Sequence, residues 1–377
     1  MKKIVGLFYI LIFFSCEGIK QLANEKVNTK IDCETMTLIN KASLLNVKID
    51  GLSSDFLFDS GATRSVLLDS TAVPNFSNKK ISSLGSAKGA DKKKIVNRLL
   101  TVKFNSTLFE SDTKVLSFIK MPLSKCSQFK TSYSGILGMD VFFENQSILQ
   151  LDFTNNKVCN INKQQLQEQL LDIHYQLLKS KCKSSQIFVF LTIEGIEYQF
   201  KLDTGYTGNI IMPFDDKLNF KNENKIALEG SIFQTISSHT NGMEIIYEKM
   251  PIVFAGQNLQ AKVNVSTSIK AQNIGIEFIK CFDWLIDYNH NKVYVKRNQN
   301  AIDSLFKRKV MYYAKVVAEK LEVVVKEKSQ TKFNLGQEII SVNGQKVTAE
   351  NQCELQDLLN KTEDWNTLQL EVISKSK

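Results

Sequence analysis

Glycine, proline and histidine are all scarce in this chain: 17, 4 and 3 residues among 377. So little glycine and proline excludes a collagen-like or low-complexity architecture. His174, His239 and His290 stand apart, and none falls in an H-E-x-x-H pattern or near a G-x-S-x-G elbow. Zinc-protease and serine-hydrolase chemistry therefore have no support. No two cysteines form a C-x-x-C pair or cluster with histidine, which removes the usual zinc and thioredoxin-like arrangements. A Gly-rich phosphate loop is missing as well, so no nucleotide, metal or other cofactor is expected. The net charge of +9 comes from scattered lysines rather than a basic block with interleaved aromatics. Nucleic acid is accordingly not an expected partner.

What remains is an ordinary globular composition, 43% hydrophobic and 23% charged, on a chain long enough for two or three domains around a sizeable core. It opens with Met1-Lys2-Lys3, an apolar run from Ile4 to Phe14 too short to span a bilayer, and Ser15-Cys16. That is the layout of a secretory signal over residues 1–16. A cysteine after a small residue at the end of the run resembles a bacterial lipoprotein processing site. The resemblance implies cleavage before Cys16, lipidation of its thiol, a membrane anchor and a place in the bacterial cell envelope, on its periplasmic or outer-membrane face. A plain cleaved signal peptide is the alternative, and it too exports the protein. Residues 17–33 then read as a tether. Cys33, Cys126, Cys159, Cys182, Cys281 and Cys353 are left either to pair in that compartment or to stay as buried thiols, and sequence does not set the connectivity.

The strongest signal is an internal repeat. Shifted by 144 residues, the stretch from Val47 through Asp59-Ser-Gly-Ala-Thr63 to Leu68 aligns without a gap on Leu191 through Asp203-Thr-Gly-Tyr-Thr207 to Met212. In both copies a glycine, Gly51 or Gly195, lies eight residues before the aspartate. The alternation around it predicts a β-hairpin whose second strand runs into D-[ST]-G. A second landmark recurs further on. Gly135-Ile-Leu-Gly138 leads to Asp152-Phe-Thr-Asn-Asn-Lys157, and Asn273-Ile-Gly275 leads to Asp287-Tyr-Asn-His-Asn-Lys292. Two related, mostly β lobes follow, spanning 34–161 and 186–297. Between them, residues 162–185 carry Leu166, Leu170, Leu171 and Ile173 at helical spacing, which predicts a linker helix.

Two symmetry-related aspartates suggest chemistry. Carboxyls held side by side cannot both ionise, so one keeps its proton while the other stays basic. Such a pair can deprotonate a water and protonate a carbonyl oxygen or leaving amine. The Ser60 and Thr204 hydroxyls are placed to bond across the lobe interface. Gly61 and Gly205 give turns without a Cβ, so backbone N–H groups approach the carboxylates. Which aspartate carries the proton stays open, since such a pair titrates as a unit.

These residues resemble the aspartic protease family over roughly residues 40–297. Asp59-Ser-Gly-Ala-Thr63 is similar to the retropepsin active-site loop. Asp203-Thr-Gly-Tyr-Thr-Gly-Asn-Ile-Ile-Met-Pro213 is similar to the form in bacterial retropepsin-like proteins. Gly135–Gly138 and Ile274-Gly275 resemble the element that supports each loop from behind. The resemblance implies a bilobal pepsin/retropepsin-like acid protease fold with Asp59 and Asp203 as catalytic dyad, acting on peptide or protein substrates. It also implies flap hairpins, for which 85–90 and 230–242 are the candidates. Tyr206 departs from the small residue usual at its place. A catalytically inert, envelope-tethered peptide-binding scaffold is therefore the competing expectation.

From residue 308 to 377 the pattern changes to strands at Val316-Val317 and Leu321–Val325. Leu335-Gly-Gln-Glu-Ile-Ile-Ser-Val-Asn-Gly344, a helical stretch over 350–360 and a last strand over 367–373 follow. Gly336–Gly344 resembles the core of a PDZ domain, and the element order that of a circularly permuted bacterial form, a small α+β PDZ-like domain. The loop that grips a carboxylate in such domains is not evident before Val316. With both lobes in one chain, a monomer completes the site.

Overall fold

Apolar residues alternate with polar ones along most of the chain, and the chain responds with strands, so that the protein is mostly β. The computed structural model describes residues 20–373 except 40, 89–93, 120–125, 127–132, 144, 184, 216–217, 219, 235–238 and 306–311. Cys16 and the expected signal segment 1–16 lie outside the described residues, as do parts of both expected flaps. No helix among the described residues is long and apolar enough to cross a membrane.

The repeat is visible strand by strand. Ala42–Ile49 pairs with Leu52–Phe58, and Gln186–Ile193 with Ile196–Asp203. Both turns place two consecutive residues at positive φ: Asp50 at 48° and Gly51 at 92°, Glu194 at 47° and Gly195 at 83°. That is the turn whose twist matches a right-handed hairpin. Each second strand then pairs in parallel with the later glycine element. Leu137 lies opposite Phe58, and Gly275 lies opposite Asp203. On its other edge the glycine element receives Val66–Leu67 or Ile210–Pro213, running antiparallel. Each D-[ST]-G turn therefore crosses from one side of a short central strand to the other, which fixes both of its ends.

The two Asp-aromatic-x-x-Asn-Lys segments also fold alike. Asn156 and Asn291 turn their hairpins at φ of 53° and 54°. The hairpins meet edge to edge, with Ile148 opposite Asp287 and Leu151 opposite Trp284, inside one six-stranded sheet. A single hydrophobic cluster runs through both halves, from Val47 and Phe58 to Phe200 and Trp284.

Two stretches between these elements differ from expectation. Residues 17–33 do not behave as a tether where they are described. Asn28–Thr29 pairs with Phe109–Phe118, Asp32–Thr35 pairs with Lys157–Ile161, and a disulfide joins Cys33 to Cys159. The physical reason is a buried lysine. Lys114 has no exposed side-chain surface, and Glu25 supplies one of its counter-charges while also pairing with Arg64. Asp140 supplies the other, at 2.5 Å, and accepts a hydrogen bond from Ser65 Oγ behind the first aspartate loop. The linker helix is shorter than predicted, Lys163–Gln169, started by a capping box between Asn162 and Gln165. Leu171 and Ile173 meet no surface, being 81% and 88% exposed, and the chain continues as strands Gln176–Leu177 and Ser180–Lys183.

The C-terminal residues form strands Tyr312–Val317, Lys320–Glu327, Glu338–Val342, Gln345–Lys346 and Leu370–Ile373 with helix Gln352–Lys361. Tyr312, Leu321, Phe333, Leu359 and Trp365 fill a separate core. Strand Lys320–Glu327 also pairs with Lys225–Gln234 of the second half, Gly230 lying opposite Val325. One thirteen-stranded sheet therefore runs through both units. A disulfide from Cys353 to Cys126 ties the same unit to the first half.

Lys114 makes a test of this architecture. Lys114→Met leaves Glu25 and Asp140 without their shared cation, and breaking a buried pair on one side costs about 3–5 kcal/mol. Urea unfolding of the variant is expected to show a loss of that size. A loss below ~1 kcal/mol would mean that the N-terminal stretch is not held by charge.

Candidate active site

Asp59 and Asp203 end equivalent strands, and the crossing of each turn aims both at the seam between the halves. Leu137 accepts the Asp59 N–H at 3.0 Å, so the glycine element holds the first aspartate from behind. Across the seam the two turns bond to each other almost reciprocally. Ser60 N–H donates to Thr204 Oγ1 at 2.9 Å, and Thr204 N–H donates to Ser60 Oγ at 3.0 Å. Each hydroxyl then donates onward, Ser60 to the Leu202 carbonyl at 2.9 Å and Thr204 to the Phe58 carbonyl at 2.6 Å. Ser60 and Thr204 are 1% and 0% exposed. In so dry a place each lost partner leaves a costly orphan, so the grip is all-or-none.

The grip presses each carboxyl onto the opposite glycine. A Cβ on Gly61 would stand 2.4 Å from Asp203 Cγ, and one on Gly205 would stand 2.4 Å from Asp59 Cγ. Only glycine permits this approach on either side. Asp59 Oδ1 accepts the Gly61 and Ala62 N–H groups at 2.8 and 3.1 Å. Burial, and next the Asp203 charge, push the Asp59 carboxyl up to about 7 against the pull of Lys201 and the Gly61 amide. Asp59 therefore keeps its proton far above the ordinary carboxylate range, as expected of a buried carboxyl held against a second one.

Asp203 has a different neighbourhood. Its Oδ2 accepts Asn273 Nδ2 at 2.8 Å and lies 3.1 Å from the Lys201 ammonium. Lys201 also donates to the Gly61 carbonyl at 3.2 Å, beside Gln186 Nε2 at 2.8 Å. Sequence reasoning passed over Lys201, Asn273 and Gln186. The available signal was the repeat itself, which places Leu57 and Ala42 where the second half has Lys201 and Gln186.

Tyr206, whose bulk raised the question of crowding, lies along its own loop. A Cβ on Gly208 would be 2.1 Å from its hydroxyl, and one on Gly275 would be 2.5 Å from Cδ1. Two glycines thus make room for the ring. Burial, then Glu244 and Asp203, push its phenol well above the ordinary value. Glu244 is itself buried, which raises its carboxyl to about 7 although Asn264 donates to it.

The other singled-out residues lie apart from this seam. His174 and His290 bond the neighbouring Asp172 and Asp287. No group of three or more His, Cys, Asp or Glu among the described residues is arranged to hold a metal ion. Cys182 and Cys281 are free thiols, and burial raises both. No protein-family model matches the chain, and no curated protein is significantly similar to it.

The raised Asp59 value has a signed consequence. Its folded pKa of about 7 lies above the ordinary 3.8, so the unfolded chain gives up this proton first as pH rises. The stability that depends on the proton is complete below about pH 4 and is lost as pH passes about 7. Asp59→Asn cannot ionise. Its urea midpoint relative to the parent is expected to climb between about pH 4 and pH 8. A difference constant with pH would contradict the raised value.

Proposed function

We propose that the protein is an aspartic endopeptidase whose two halves form a bilobal pepsin/retropepsin-like fold in one chain. The observation that carries this reading is the meeting of Asp59 and Asp203 across the reciprocal Ser60–Thr204 grip. A metal is not needed for the chemistry such a pair performs. The ionised carboxylate takes a proton from a water as its oxygen attacks the peptide carbonyl carbon. The protonated carboxyl gives its proton to the carbonyl oxygen, leaving a tetrahedral diol. Collapse of the diol breaks the C–N bond: the proton taken from water passes to the leaving amine, and one diol hydroxyl returns its proton to the carboxylate that had given one up. The pair is thereby restored to one proton and one charge. A carboxyl held at about 7 supports action at mildly acidic to neutral pH.

The hairpins Ile81–Lys88 with Lys94–Asn105, and Lys225–Gln234 with His239–Phe254, hold equivalent places after the two aspartate turns. Both suit the role of a flap over an extended peptide. The C-terminal unit has the element order of a PDZ-like module, with a slot between strand Tyr312–Val317 and helix Gln352–Lys361. Side chains already use that slot. Asn360 bonds both the N–H and the carbonyl of Ala314, and Gln356 bonds the Val316 N–H and reaches the Cys126 carbonyl. This favours a bracing role for the module over capture of a peptide by strand addition. With an exported, lipid-anchored start at Cys16, the enzyme would work as a monomer at the cell envelope, on peptides or proteins that reach it there.

Cleavage of a diverse peptide mixture by the chain lacking residues 1–16 tests the reading, from acidic to neutral pH. Asp59→Asn and Asp203→Asn are each expected to lower turnover by at least about 10³-fold, since neither carboxyl works alone. Absence of cleavage at every pH, with all three proteins folded alike, would replace the enzyme by a peptide-binding scaffold.

A further inference from the structure

The two halves repeat, but the surroundings of the two aspartates do not. In the first half Leu57 lies opposite Ile136, and both belong to an apolar cluster with Leu44, Val66 and Ile119. At the equivalent places the second half has Lys201 opposite Asn273. One aspartate therefore stands beside hydrocarbon, and the other beside an ammonium and an amide.

We propose that Lys201 is a positioning residue that fixes the dyad's single negative charge on Asp203 and so leaves the proton on Asp59. This rests on the aspartic endopeptidase reading for its catalytic meaning, although not for the charge distribution itself.

Lys201 is a strand residue whose side chain is 14% exposed. A charge that far out of water needs a partner, and its nearest carboxylate oxygen is Asp203 Oδ2 at 3.1 Å. Asn273 donates to the same oxygen, so two donors converge where negative charge is to reside. The Gly61 carbonyl takes a further Lys201 proton at 3.2 Å. That contact ties the ammonium to the turn of the opposite half and keeps it from swinging out to solvent. Burial alone would lower the amine, but Asp203 and then Asp59 outweigh it and leave it above the ordinary lysine value. It stays an ammonium throughout the working range.

Among the described residues, the other groups that face the pair supply no competing cation. Tyr133 is raised by burial and by Asp59, and Tyr206 by burial, Glu244 and Asp203, so both phenols are neutral. Glu244 is raised to about 7 by burial and could only add negative charge. Asp59 receives two backbone amides and feels the Lys201 charge less directly, with no ion pair of its own among the described residues. In the reaction, Asp203 takes the proton from water and Asp59 gives its own to the carbonyl oxygen. Lys201 touches neither water nor substrate in this assignment and acts through Asp203.

Removing the ammonium raises both ionisations of the pair. An opposite charge at this range is worth about 1–3 pH units to a carboxyl. The test is a carboxyl-carbon NMR titration of the chain lacking residues 1–16, with Asp59→Asn and Asp203→Asn to assign the two signals. Lys201→Met is expected to move both steps of the dyad up by at least about one pH unit, and Lys201→Arg to leave them near the parent values. The acidic and basic limbs of the kcat/KM profile should move upward with them. Should Lys201→Met fail to fold, Lys201→Gln makes the same comparison. Titrations that coincide in the parent and the uncharged variant would overturn the proposal. So would a parent titration in which Asp203, not Asp59, keeps its proton longer. If the titration moves as expected but no peptide is cleaved at any pH, the endopeptidase reading fails and the charge assignment stands.

Discussion

The cross-bonding of Ser60 and Thr204 is the constraint from which the rest of the centre follows. Each hydroxyl takes an amide proton from the other half and passes its own proton to a carbonyl there. Four hydrogen bonds in a fully buried place leave little freedom to the two turns. The carboxyls consequently sit over the opposite glycines, and the burial and then the Asp203 charge that raise Asp59 are both results of that placement. Loosening the grip would relieve the repulsion and also dissolve the dyad.

Around that fixed point the two halves are free to differ, and they do so where charge matters. The first half backs its turn with a network of Ser65, Asp140, Lys114 and Glu25. In the second half the equivalent of Ser65 is Asn209, whose side-chain amide reaches the Asp303 carbonyl. The cation of the first half lies behind its turn, and the cation of the second lies at the carboxyl itself. A symmetric frame thus presents an asymmetric field.

Much of the frame could be read from the sequence because its signals are local and repeated. Asp50-Gly51 and Glu194-Gly195 announce their turns by residue type, and the D-[ST]-G loops and later glycines by spacing. Lys201 escaped because a lysine in a strand ordinarily faces water, and the groups that make its pocket, Asn273 and Gly61, lie 72 and 140 residues away. Lys114 escaped for the same reason, with Glu25 lying 89 residues before it. Cysteine pairing was closed to sequence too, since the bridges span 126 and 227 residues. The linker helix was over-read. Leu171 and Ile173 extend the helical spacing of Leu166 and Leu170, but periodicity does not reveal whether a surface waits for the stripe.

The C-terminal unit changes what kind of object the molecule is. The polypeptide joins the first half to the second, a β-ladder joins the second half to the C-terminal strands, and the Cys126–Cys353 bridge returns to the first half. The three bodies thus close a ring. Two jaws joined at one hinge can gape freely, whereas in a ring any opening at one joint must be taken up at the other two. The strand that bears the second hairpin is itself one of those joints, so any movement of that hairpin becomes a movement of the whole circuit.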